Sequence, residues 1–87
     1  MKVIGLKFMS DKGWTADNAF QSDSGKMMTI PANHKVVCTD EDGDVVNVTI
    51  VTPSPLVFKA GEELKNVKLV GSVSKSGFGW ALKCQLV

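Results

Sequence analysis

The side chains in this sequence able to do binding chemistry are lysines and aromatic rings, and they gather in two stretches. Lys12 and Trp14 flank Gly13, with Phe20 and Lys26 following; Lys75 and Phe78 flank Ser76-Gly77, with Lys83 following. Lys35 opens a short apolar run of its own. An ammonium group is a compact positive charge suited to a phosphate. An aromatic ring is a flat face on which a base can stack, each stacked base being worth about 1–3 kcal/mol. All ten cations are lysines and none is arginine. The planar fork that reads guanine or clamps a phosphate through two bonds is therefore missing. The chemistry so composed is attraction to a nucleic-acid backbone with stacking, and little base-specific readout.

Each of these residues also has a plain structural reading. Trp14 sits beside Lys12-Gly13 and a polar segment, so it serves either as a stacking face or as a cap on the core. Phe20, between Ala19 and Gln21, suits core packing as well as binding. Phe78, between two glycines, reads as exposed. Trp80 is in phase with Leu82, Cys84 and Leu86 and reads as core, as do Phe8 and Phe58. Any single lysine is a solvated surface charge, and the group acquires meaning only if folding brings it to one side. Met27-Met28 reads as core filling.

Other chemistries find little footing. His34, the one histidine, lies between Asn33 and Lys35 and suggests no nucleophile–base–orienter set. No phosphate-cradling glycine loop is present. Cys38 and Cys84 form no CxxC pair and, with one histidine, complete no metal site, so no metal or cofactor is expected. Asp40-Glu41-Asp42-Gly43-Asp44 lacks the spacing and closing glutamate of a calcium loop and reads as a solvated turn. Asn47-Val48-Thr49 matches a glycosylation sequon by chance, mid-strand. The chain is not expected to be an enzyme or to take a small-molecule substrate.

These side chains must be positioned by strands. Val45 to Thr52 is rich in β-branched residues, with Val46, Val48 and Ile50 alternating against Asn47 and Thr49, and turn chemistry bounds it on both sides. Val3–Met9, Leu64–Val73 and Phe78–Val87 alternate in the same way, and Lys35–Thr39 reads as a short strand. Ser10–Gly13 and Ser74–Gly77 read as turns; Trp14–Gln21 reads either as a strand or as one loose helical turn, 22–26 as a loop and Met27–Ile30 as an apolar strand, a stretch that suits a hairpin carrying a binding face or an irregular loop. Trp80, Leu82, Cys84 and Leu86 are expected to face inward, and Leu56-Val57-Phe58 to pack under the core. Residues 1–87 thus make a single all-β domain, expected to be a small five-stranded OB-like barrel with a protruding hairpin and little or no helix.

Composition sets the setting. Four of the nine acids lie within Asp40–Asp44, so ten lysines face five acids elsewhere and the remaining surface leans basic. No apolar run approaches the ~20 residues that cross a bilayer, and the N-terminus carries no signal-peptide pattern. A cytoplasmic location without membrane association is expected, with the two cysteines as buried thiols in a reducing compartment.

Residues 35–87 bear a family resemblance. A Val-rich strand (Val45 to Thr52) leads through a Pro-containing, helix-free loop to a Gly-led strand (Gly61 to Val73), then Ser74-Lys75-Ser76-Gly77-Phe78-Gly79 and an apolar strand ending in Leu86-Val87. With Lys2-Val3 at the start and a similar length, this resembles the gene V-type single-stranded-DNA-binding proteins of filamentous phages. The resemblance implies an OB-fold homodimer that coats single-stranded DNA during phage or plasmid-like replication with little sequence preference; RNA is an alternative ligand. It implies that Trp14, Phe20, Lys26, Lys75 and Phe78 meet the nucleic acid, and Lys12, Lys35 and Lys83, turn-borne or outward-facing, complete the candidate nucleic-acid-binding set. The chain departs from the family in lacking both Arg and Tyr. Two further readings stand beside it: a structural or protein-interaction β-barrel such as a phage accessory or assembly subunit, and a secreted sugar-binding subunit with a Cys38–Cys84 disulfide.

Overall fold

The computed structural model describes residues 5–87, and among them every regular element is a strand. In chain order these are β1 (Lys7–Thr15), β2 (Asn18–Gln21), β3 (Met27–Ile30), β4 (Asn33–Thr39), β5 (Val45–Val51), β6 (Val67–Ser76) and β7 (Gly79–Leu86). Five form one sheet in the order β1-β4-β5-β7-β6, while β2 and β3 form a separate two-stranded hairpin. Neighbours are antiparallel except β5 and β7, which run parallel.

The core follows from alternation on β5. Val46, Val48 and Ile50 are fully buried and join Val36 and Cys38 of β4, Leu82 and Cys84 of β7, and Leu6 and Phe8 at the start of β1. The segment after β5 folds back over this face. Leu56, Phe58 and Leu64 pack on it, and the Phe58 ring lies 5.5 Å from Phe8 in a stacked arrangement. Val57 between them is 91% exposed, so only two of that apolar triplet serve the core.

The all-β class expected from the sequence is the one found; the closed barrel is not. β1 and β6 stand at opposite edges of the sheet and do not pair. Residues 61–64 come alongside β1 instead. Phe8 N–H donates to the Glu62 carbonyl at 2.7 Å, Leu64 N–H to the Leu6 carbonyl at 2.8 Å, and Lys7 and Glu63 form an isolated bridge.

Local departures have identifiable causes. Ser10–Gly13 makes no chain reversal. The Asp11 carboxylate accepts the Gly13 amide at 2.7 Å, Gly13 adopts φ +92°, and the β1–β4 register slips at two places. The turn-forming residues thus become β-bulges inside one long strand. The final turn tightens to Gly77-Phe78, with Ser74–Ser76 drawn into β6 and the Ser76 hydroxyl accepting the Phe78 amide. Leu86 keeps its phase but lies past the core and is 41% exposed. Met27 and Met28 fill no core, because their hairpin leaves both faces open. Val3 and Ile4, the start of the expected first strand, lie outside the described residues.

Candidate nucleic-acid interface

The alternation that buries Val36, Val48, Leu82 and Cys84 turns their neighbours to the opposite face. Lys35 is paired in register with Thr49, and Thr49 with Lys83, so a Lys–Thr–Lys row crosses β4, β5 and β7. The adjacent row on this face is Asn33, Val51, Gln85 and, on β6, Lys68. On the other side of the lysine row, Asn47 accepts a hydrogen bond from Lys12 Nζ at 3.4 Å, so the bulged Lys12 reaches the same face from β1. The Asn47 amide donates to the carbonyls of Phe78 and Trp80, tying the β6–β7 turn to this face. β4, β5 and β7 contain no acidic residue. The outer face is therefore cationic through its middle.

Two depressions adjoin on it. One, about 270 Å³, is lined by Asn33, Lys35, Thr49 and Lys83 together with Ile30, Pro31 and Val51. The other, about 510 Å³, is lined by Trp14, Asp17, Thr29 and Pro53 and shares Pro31 and Val51 with the first. They make one groove, apolar at the Trp14 end and cationic at the lysine end. Trp14 is half-buried, with its indole N–H donating to the Thr52 carbonyl at 3.1 Å. Thr52 is buried and fixed by its own amide bond to the Ala32 carbonyl and its hydroxyl bond to the Ser54 carbonyl. One edge of the indole is thereby pinned.

Of the eight residues singled out in the sequence, Lys12, Trp14, Lys35 and Lys83 come together here. Phe20 and Lys26 belong to the β2–β3 hairpin, where Phe20 is 42% exposed opposite Met28. That hairpin meets the groove only through Thr29 and Ile30 at its wall. Lys75 lies 5.2 Å above the Trp80 ring, a cation–π contact across the β6–β7 pair, so its charge is engaged within the chain. Phe78 projects from the turn and is 89% exposed. Asn33, Thr49, Lys68 and Asp17 escaped the sequence reading. Strand alternation carries Thr49 and Lys68 to the outer face, but the cross-strand register that assembles the row is not written in any one segment.

Elsewhere the titratable groups have structural tasks. Buried His34 lies with Nε2 2.7 Å from Asp11 Oδ1, while its Nδ1 accepts the Leu56 amide at 3.2 Å. The second bond places the ring proton on Nε2. The Gly13 amide, and next His34, hold the Asp11 carboxyl below its ordinary value. Asp40 Oδ1 accepts the amides of Asp42 and Asp44 and closes the β4–β5 turn. Carboxylate oxygens of Asp40, Asp42 and Asp44 lie within 4.8 Å of one another there. Cys38 and Cys84 are buried and unpaired, and burial, with Cys84 adding to it, pushes the Cys38 thiol up to about 11. Among the described residues no helix is long and apolar enough to cross a membrane.

Comparison with protein-family models, curated proteins and solved structures finds no match to this chain.

Proposed function

We propose that this chain binds single-stranded nucleic acid, DNA foremost, in the cytoplasm as part of a phage- or plasmid-like replicon. The observation that carries the reading is the continuity of the Lys35–Thr49–Lys83 row with the Trp14 depression. Phosphates lie along the lysines, and a base stacks at the free face of an indole whose edge is already fixed. Lys12 and Lys68 extend the cationic track, and the exposed Phe20 and Phe78 rings offer further stacking faces at either hairpin. Five strands, the parallel return of β7 beside β5 and the approach of 61–64 to β1 support an OB-like, partly open arrangement. A homodimer, as the gene V resemblance implies, belongs to this reading.

The test is tryptophan fluorescence of a Trp80→Phe variant, which leaves Trp14 as the reporter, titrated with a mixed-sequence single-stranded oligonucleotide at low and at physiological salt. Saturable quenching that weakens steeply with salt supports stacking plus phosphate neutralisation. No change at low salt overturns it. The exposed Phe20, Met28 and Ile30 of the hairpin then favour the alternative, a structural or protein-interaction module.

A further inference from the structure

The acidic turn between β4 and β5 holds an arrangement that a merely solvated loop does not need. Asp40, Asp42 and Asp44 alternate along the turn, and Gly43 takes φ +82° to fold them back on one another. One carboxylate oxygen from each lies within 4.8 Å of the other two. Like charges so gathered repel, and among the described residues no lysine forms an ion pair with them.

Asp40 is the group that stands out. It is only 7% exposed. Its Oδ1 accepts the Asp42 and Asp44 amides at 2.9 and 2.8 Å, so that oxygen is occupied in shaping the turn. Its Oδ2 is buried and has no hydrogen-bond partner. A carboxylate oxygen that meets neither a donor nor solvent is costly, and such groups are found paired with a cation or bound to a metal ion. The Asp42 and Asp44 residues of the same cluster are exposed and form its open side. An ion enters there, and once stripped of its hydration it is smaller than a water molecule.

Three carboxylates suit a hard cation. Oxygens held by one calcium ion, at about 2.3–2.6 Å from it, stand up to roughly 5 Å apart; those held by magnesium, at about 2.0–2.1 Å, stand at most roughly 4 Å apart. A cluster spread within 4.8 Å fits the wider shell without contracting. Asp40-Glu41-Asp42-Gly43-Asp44 also matches the D-x-D-x-D opening of calcium loops. It departs from them afterwards, because β5 begins at Val45 and Val51 stands where the closing glutamate would be. Solvent therefore completes the shell.

We propose that Asp40, Asp42 and Asp44 bind one calcium ion, with Asp40 Oδ2 as the inner ligand, and that the ion pins the turn leading into the central strand β5.

Calcium chloride added to the full chain after EDTA treatment, with potassium chloride balancing the ionic strength, tests this by titration calorimetry and by the thermal midpoint. One ion binds per chain, and at a roughly tenfold excess over its dissociation constant the midpoint rises by about 5–10 °C. Asp42→Ser and Asp44→Ser, at exposed positions whose main-chain amides still donate to Asp40, each weaken binding by roughly tenfold or more. Their midpoints in EDTA equal or exceed that of the unaltered chain, since each removes a repulsion; this separates loss of the ion from loss of the fold. No heat and no midpoint change up to about 10 mM calcium overturns the site. A rise that persists in the double variant puts the ion elsewhere and overturns it as well. An equal rise with magnesium chloride overturns the choice of calcium.

Discussion

His34 Nε2 and Asp11 Oδ1 stand 2.7 Å apart, joining a histidine that is 3% exposed to a carboxylate on the open edge of β1. The same Asp11 oxygen accepts the Gly13 amide, and the same ring accepts the Leu56 amide through its other nitrogen. One side chain thus connects the bulge that presents Lys12 and Trp14 with the strap that covers the core. His34→Ala leaves the Leu56 amide without its acceptor. A loss of about 1–3 kcal/mol in unfolding free energy is expected, measured by urea denaturation.

Asp11 gives the acid side of the stability profile its sign. Its carboxyl is held below the ordinary 3.8, first by the Gly13 amide and then by His34. A lowered carboxylate stabilises the fold above its unfolded value, and that contribution is lost as pH falls through the lowered value. Asp11→Asn keeps an acceptor without the charge, so its stability should fall less steeply than the wild type below about pH 4. Acid unfolding followed by circular dichroism distinguishes the two curves.

The thiols set the alkaline side. Cys38 is raised from 9.0 to about 11, chiefly by burial, so between those values the unfolded chain ionises while the folded one does not. Stability therefore declines as pH rises through that window, by on the order of 2 kcal/mol in all. Cys38→Val should flatten the decline. In the native protein neither thiol should react with Ellman's reagent at neutral pH, and both should react in denaturant.

Gly79 is irreplaceable for a different reason. It holds φ +108°, and a Cβ there would stand 2.7 Å from the Val45 carbonyl oxygen. Gly79→Ala combines backbone strain with a clash against main chain and should cost about 2–4 kcal/mol. A fall in the thermal midpoint checks this. Phe78→Ser, one residue away at an 89% exposed position, should change stability by less than about 0.5 kcal/mol.

The lysine row makes a quantitative prediction for binding. Lys35→Gln and Lys83→Gln should each lower the slope of log affinity against log salt by about 0.7, the value for one phosphate contact on a single strand. Lys75→Gln should lower it less, because that ammonium lies over Trp80.

What the sequence disclosed and what it withheld divide along physical lines. Alternation within one strand was legible: Val46, Val48 and Ile50 had to face one way, and the core formed there. Chain reversal was less so, since the residues that make turns also make bulges. Ser10–Gly13 differs from a true turn only in the β4 partner that keeps it extended. Met27 and Met28 have the apolar character of core residues, but their burial depends on a cover that β2 does not supply. The site was half legible for the same reason. Residue types marked Lys12, Trp14, Lys35 and Lys83. Their meeting with Asn33 and Thr49 required the order of strands in the sheet, which is a relation between distant segments.

The parallel pairing of β5 and β7 also governs when the groove comes into being. These strands are neighbours in the sheet although the whole of 52–78 separates them along the chain, so their contact is formed against a large loop-closure entropy. An antiparallel β4–β5 hairpin can assemble early from local contacts, but it carries only one lysine of the row. The second arrives with β7. A chain that has collapsed without seating its last strand therefore has much of its apolar surface hidden yet no cationic groove, and ligand binding during refolding should appear with the slowest kinetic phase rather than with collapse.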